Sequence, residues 1–111
     1  MTCKQALADL IAKVEAGGLP RETIAIAAFD VQPILTNWRG VVADAYNGSL
    51  DAAKLLHEAV LPRYYAQVYM CTAPEMCRVD IGGGHTGRGD NPARAWLLAI
   101  LRALHSMEPD A

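Results

Sequence analysis

No apolar run in this chain approaches the ~20 residues that span a bilayer, so the sequence holds no candidate membrane helix. The opening Met1-Thr2-Cys3-Lys4-Gln5 lacks the basic-then-apolar layout of a secretory signal, and the chain is expected to stay in the cytoplasm. Cysteine is scarce and odd in number, three in all, which fits reduced thiols better than a disulfide framework. Neither charge sign dominates: ten Lys+Arg against twelve Asp+Glu leave a net charge of −2. That balance argues against broad nucleic-acid or membrane-surface binding. Seven of the ten bases are Arg, and the balance leaves room for a local basic patch.

Metal and catalytic patterns are also missing. No C-x-x-C, H-x-x-x-H or H-E-x-x-H occurs, and His57-Glu58 lacks the second His. A Cys nucleophile needs a positioned His. Cys3 and Cys77 fall on expected core stripes, where Cys behaves as a small hydrophobe, and Cys71 on the outer face beside the turn is the one expected exposed thiol. No catalytic residue, metal ligand or cofactor is therefore assigned. The expected protein is not an enzyme.

What is present fits one domain, residues 1–111. A chain of this length buries roughly 65% of its unfolded surface, enough for one core without metals or disulfides. Apolar residues make up 52%, much of it alanine, so the core is expected to be thin, with helices close against a small sheet.

The most informative stretch is Tyr64–Ile81. Two alternating runs, 64–71 and 76–81, flank the turn Thr72-Ala73-Pro74-Glu75, which is a hairpin signal. Pairing Cys71 with Met76 sets Met70 opposite Cys77, Val68 opposite Val79 and Ala66 opposite Ile81. All six of the latter fall on one face. Tyr65, Gln67, Tyr69, Arg78 and Asp80 fall on the other. A slip of one residue would scramble both faces, so the pattern fixes the register. It also puts Cys71 and Cys77 on opposite faces, which disfavours a disulfide between them.

Helices are expected near 2–16, 20–29, 49–60 and 92–106. Leu7, Leu10, Ile11 and Val14 recur at helical spacing with Cys3, Thr2 and Gln5 form a capping box, and Gly17-Gly18 ends the run. Pro20 is placed at the first position of the second helix. Ile24-Ala25-Ile26-Ala27-Ala28-Phe29 alternates like a strand but has helical propensity, and reads as helix. Ser49 caps the third helix, with Ala52, Ala53, Leu56, Ala59 and Val60 inward and Lys54, His57 and Glu58 outward. Asn91 and Pro92 start the last, which buries Ala93, Leu97, Ile100, Leu101 and Leu104. Residues 30–47 are the least informative. Asp30 and Pro33 suggest a break, Trp38 a plug onto the core, and Val41-Val42-Ala43 a short strand.

Gly82 to Gly89 reads as a flexible connection containing G-x-G-x-x-G at Gly82, Gly84 and Gly87. Such glycines can bring backbone N–H groups to a phosphate. Here the preceding strand belongs to a hairpin, and no acidic residue follows at the ribose-binding distance. A small anion site using Arg88 or Arg94 is the remaining ligand reading. Arg88-Gly89-Asp90 is an integrin-type tripeptide that has no partner in the cytoplasm.

Leu10-Ile11-Ala12-Lys13-Val14-Glu15-Ala16, Tyr46-Asn47-Gly48-Ser49-Leu50-Asp51-Ala52-Ala53 and Asn91-Pro92-Ala93-Arg94-Ala95, with the hairpin between them, resemble a group of small phage and prophage proteins with ABA-sandwich-type domains. The resemblance implies an α+β fold with helix–sheet–helix layering. It transfers no activity and no site residue. By class it implies binding to a host protein assembly, including inhibition of bacterial defence of the anti-CRISPR kind. The candidate contact is Tyr65, Tyr69 and Arg78, residue types enriched at binding hot spots. The same face has a structural reading, in which a second helix covers it. A nucleic-acid-associated regulator using Arg78, Arg88 and Arg94 is the alternative function, and nucleic acid the less expected partner.

Overall fold

The computed structural model describes residues 2–69, 77–82 and 84–108. The fold is α+β. Five helices and a three-stranded antiparallel sheet follow one another along the described residues. The turn of the hairpin, with Met70, Cys71 and Met76, lies outside them.

Helix α1 (Cys3–Ala16) begins at the capping box that Thr2 and Gln5 predict: Gln5 N–H donates to Thr2 Oγ1, and Thr2 N–H to Gln5 Oε1. It stops at Gly17, whose φ of +67° only glycine adopts without strain. Helix α2 (Arg21–Phe29) starts one residue later than expected, with Pro20 as its N-cap rather than its first residue. The ambiguity between helix and strand is resolved by Ile24 and Ile26. A strand would put both on one face, yet Ile24 is fully buried and Ile26 is 64% exposed.

Residues 39–46 correct the expected short strand at Val41-Val42-Ala43. They form helix α3 (Arg39–Tyr46), entered through a single 3-10 turn at Thr36–Trp38. Two adjacent valines favour a strand by propensity, but burying Val42, Ala43, Ala45 and Tyr46 together needs a helix. Trp38 packs half-buried against the core, as expected. Helix α4 (Leu50–Val60) has Ser49 as its cap, with Ala52 N–H donating to Ser49 Oγ. Two side chains of α4 face opposite to expectation: His57 is buried and Ala59 is exposed.

Strands β1 (Ala66–Tyr69) and β2 (Cys77–Ile81) pair in the predicted register, Ala66 with Ile81, Val68 with Val79 and Tyr69 with Arg78. Cys77, Val79 and Ile81 are buried, and Ala66 and Val68 pack half-buried on the core beside them.

The largest correction concerns the supposed flexible loop. Only Gly82–Gly84 connects; His85–Gly89 is a third strand, β3, paired antiparallel to β2 from Ile81–His85 to Cys77–Gly89. Its glycines answer to packing rather than to flexibility. A Cβ on Gly87 would lie 2.0 Å from the Ala95 carbonyl oxygen and 2.5 Å from the Ala99 nitrogen. The backbone of β3 thus lies directly on the last helix, α5 (Pro92–Met107).

Helix α5 organises the molecule. Nine of its residues are buried, so it is covered on nearly every side. It packs on all three strands and on α1, α3 and α4. The layers are sheet, α5, then the remaining helices. The opposite face of the sheet has no helix on it among the described residues, which departs from the helix–sheet–helix layering implied by the phage-protein resemblance.

Candidate functional site

The alternation of β1, β2 and β3 sorts their side chains into two sets. The set facing α5 is apolar or glycine except for His85, half-buried opposite Ile81. The other forms an open face in cross-strand rows, Tyr69–Arg78–Arg88 and Gln67–Asp80–Thr86, with Tyr65 just before β1. Tyr65 is 74% exposed and Tyr69 40%. Gln67 and Arg88 are exposed as well.

Arg78 occupies the centre of this face. Its guanidinium carbon stands 4.3 Å over the Tyr69 ring, and Nη2 lies 3.3 Å from Asp80 Oδ2. Its Nε is buried with no hydrogen-bond partner. The side chain is therefore held in place by stacking and an ion pair, with hydrogen-bonding capacity unused. Arg88 sits directly opposite on β3 and makes no hydrogen bond or ion pair among the described residues. Two like charges across neighbouring strands are unfavourable. With Asp80 as the only carboxylate in the two rows, the face carries one excess positive charge on a chain of net −2. Thr86 Oγ1 donates to Asp80 Oδ1 at 3.0 Å and fixes that carboxylate.

The structure brings Tyr65, Tyr69, Arg78 and Arg88 to one surface. Arg94 is not part of it. Its Nε and Nη2 donate to the Tyr46 carbonyl oxygen at 3.1 and 3.0 Å, and its guanidinium stands 4.3 Å over the Tyr46 ring. The carbonyl end of α3 and a cation meet here, the favourable arrangement at a helix C-terminus. Tyr46 itself is buried, and its hydroxyl accepts from the Leu19 N–H at 2.9 Å. The anion site proposed for Arg88 and Arg94 is thus divided between the outer sheet face and an internal clasp. The G-x-G-x-x-G spacing gives no phosphate cradle either, since Gly87 lies within β3 against α5.

His57 is a residue whose role the sequence did not reveal. Its Nε2 lies 2.6 Å from the Tyr64 carbonyl oxygen, and its Nδ1 3.2 Å from Trp96 Nε1. A carbonyl only accepts and an indole N–H only donates, so Nε2 carries the proton and Nδ1 accepts. The ring ties α4 to the entry of β1 and to α5. Cys3 packs partly buried against the core, and its thiol is pushed above its ordinary value by burial, reinforced by the charge and hydrogen bond of Glu108. A protonated thiol is a poor nucleophile. Among the described residues no three His, Cys, Asp or Glu come together as a metal-binding group. Among the described residues no helix is long and apolar enough to cross a membrane.

Two further features mark the surface. A cleft of about 440 Å³ runs beside β3, lined by Glu15, Thr86, Arg88, Leu98 and Arg102. A more apolar depression of about 320 Å³ lies between α2 and α3, where Ile26 and Phe29 are exposed and Arg39 stands 5.2 Å over the Phe29 ring. Comparison of the chain with models of known families, with curated proteins and with solved structures gives no match.

Proposed function

We propose that this chain is a non-enzymatic binding module that docks an acidic protein surface on the open face of its sheet. One observation carries the reading: Tyr65 and Tyr69 are exposed beside Arg78 and Arg88, on a sheet face that no described helix covers. Tyrosine offers a large rigid surface at small rotamer cost, and arginine five donors in a fixed fork. Arg78 is already stacked on Tyr69, so little ordering remains to be done on binding. The excess positive charge of the face selects an acidic partner by attraction and repels basic ones.

The resemblance to small phage proteins supplies the biological setting of this proposal. The partner is then a host protein assembly, and interference with a host defence complex is the corresponding role. That setting rests on class and on no residue named above.

A second reading has its own support. The Arg78–Arg88 pair beside Tyr69 also suits a single-stranded nucleic acid, whose phosphates pair with guanidinium and whose bases stack on tyrosine. The net charge of −2 favours the protein partner.

The test compares the native chain with a Tyr65→Ala/Tyr69→Ala variant as immobilised baits in bacterial lysate. Affinity for each captured protein is then measured, and both baits are melted. The proposal expects a protein bound by the native bait, at least tenfold weaker binding by the variant, and a melting temperature that barely moves. Equal capture by both baits would reject the face. Capture of nucleic acid alone, with steep salt dependence, would replace the proposal with the second reading.

A further inference from the structure

The pairing pattern of the sheet determines which backbone groups of β3 are unused. Gly82 N–H donates to the Tyr65 carbonyl, so Arg78, Asp80 and Gly82 direct their backbone groups toward β1. Cys77, Val79 and Ile81 then direct theirs toward β3, where they meet Gly89, Gly87 and His85. The backbone groups of Thr86 and Arg88 must point away from the sheet. The Thr86 carbonyl confirms the direction, because it accepts from Arg102 Nη1, at 2.6 Å. The remaining groups, Thr86 N–H and both groups of Arg88, have no partner among the described residues.

The free edge opens onto the cleft of about 440 Å³. Two of its lining residues lie on opposite sides of the sheet plane. Leu98, on α5, lies below β3, and Arg88 stands on the open face above it. A strand added to this edge would alternate in the same way. Its residue opposite Arg88 would point to the open face, and its neighbour would point down toward Leu98. The lining guanidiniums of Arg88 and Arg102 outnumber the carboxylate of Glu15, which Arg102 Nη2 holds at 3.1 Å. Arg88 has no anion beside it among the described residues.

We propose that the edge of β3 is a docking site for an extended peptide segment of a partner protein, with acidic and apolar side chains in alternation. The peptide pairs its main chain with Arg88 and with the Thr86 N–H. It sets a carboxylate on Arg88 and an aliphatic side chain over Leu98. Main-chain hydrogen bonds supply affinity, and the alternating pockets supply specificity. Arg102 occupies one edge carbonyl in the free protein, which limits unwanted edge-to-edge pairing. This site stands on the strand edge and needs neither tyrosine of the open face.

The experiment measures amide hydrogen exchange in the full chain, with and without a capped hexapeptide of alternating Glu and Val. In the free protein the Thr86 and Arg88 amides should exchange fast, and those of His85, Gly87 and Gly89 slowly. Saturating peptide should slow the Thr86 and Arg88 amides at least tenfold. Arg88→Glu should weaken the peptide at least tenfold, and Tyr65→Ala/Tyr69→Ala should leave it unchanged. A peptide with Lys in place of Glu, or one N-methylated at alternate residues, should not bind. Equal binding of the Lys peptide, or no binding of the Glu peptide at ~1 mM, would overturn the proposal. So would Arg88 protection that rises with protein concentration alone, since the edge would then be closed by a second copy.

Discussion

His57 and Gly87 show how much of this fold depends on single positions. The His57 ring satisfies one carbonyl and one indole N–H that would otherwise sit unpaired near the core. Removing one partner from a buried hydrogen bond leaves the other with its full desolvation cost, about 1–3 kcal/mol. His57→Phe keeps a ring in place and removes both bonds, so a denaturant melt should show a loss of about 2 kcal/mol or more. A variant as stable as the native chain would make the bridge incidental. Gly87 is limited by space. Gly87→Ala should cost more than the 1–3 kcal/mol usual for overpacking, because the new methyl meets backbone and not a movable side chain. Gly89→Ala, whose Cβ would find its nearest atom at 3.5 Å, should cost much less. Similar melts for the two would contradict the close seat of β3 on α5. Neither role was legible in the sequence. His57 occupies a position on α4 that its polarity assigns to solvent, and a glycine shows nothing of what lies above it.

At the scale of the element, legibility followed the strength of local signals. Helices α1, α4 and α5 carry caps whose geometry depends on residues two or three positions apart, and each cap formed as read. The β1–β2 register was legible because a one-residue slip would expose Val79 and Ile81 and bury Arg78 and Asp80. Val79→Asp should therefore unfold the domain, since an unpaired buried carboxylate costs several kcal/mol against a total of roughly 5–15 kcal/mol. A soluble variant with a cooperative melt would refute the register. Strand β3 was illegible for the opposite reason. Its sequence, His85-Thr86-Gly87-Arg88-Gly89, has poor strand propensity and forms only because β2 pairs with it and α5 supports it. Helix α3 was misread because adjacent valines weigh toward a strand locally, while the burial of Val42, Ala45 and Tyr46 is a tertiary fact.

For the whole molecule, the central consequence is a sheet with one buried face and one open face. Alternation puts Tyr65, Tyr69 and Arg78 on one side of a hairpin, but whether a helix lies over them is a matter of tertiary packing. That depends on where α1 to α4 pack: α1, α3 and α4 gather on α5, and α2 packs on α1 and α3, instead of straddling the sheet. Arg88 and Thr86, which complete the two rows of the face, come from β3, a strand with no local sequence signal. The Ile26–Phe29–Arg39 depression is a further surface with exposed apolar side chains, and it is the next candidate should the sheet face prove closed. Tyrosine nitration of the folded, isolated chain, read by peptide mass mapping, tests the open face most directly. Tyr65 and Tyr69 should be modified readily while Tyr46, at 2% exposure, is spared until the protein unfolds. Protection of Tyr65 and Tyr69 to the same degree as Tyr46 would show that the face is covered, and would contradict its assignment as a binding surface.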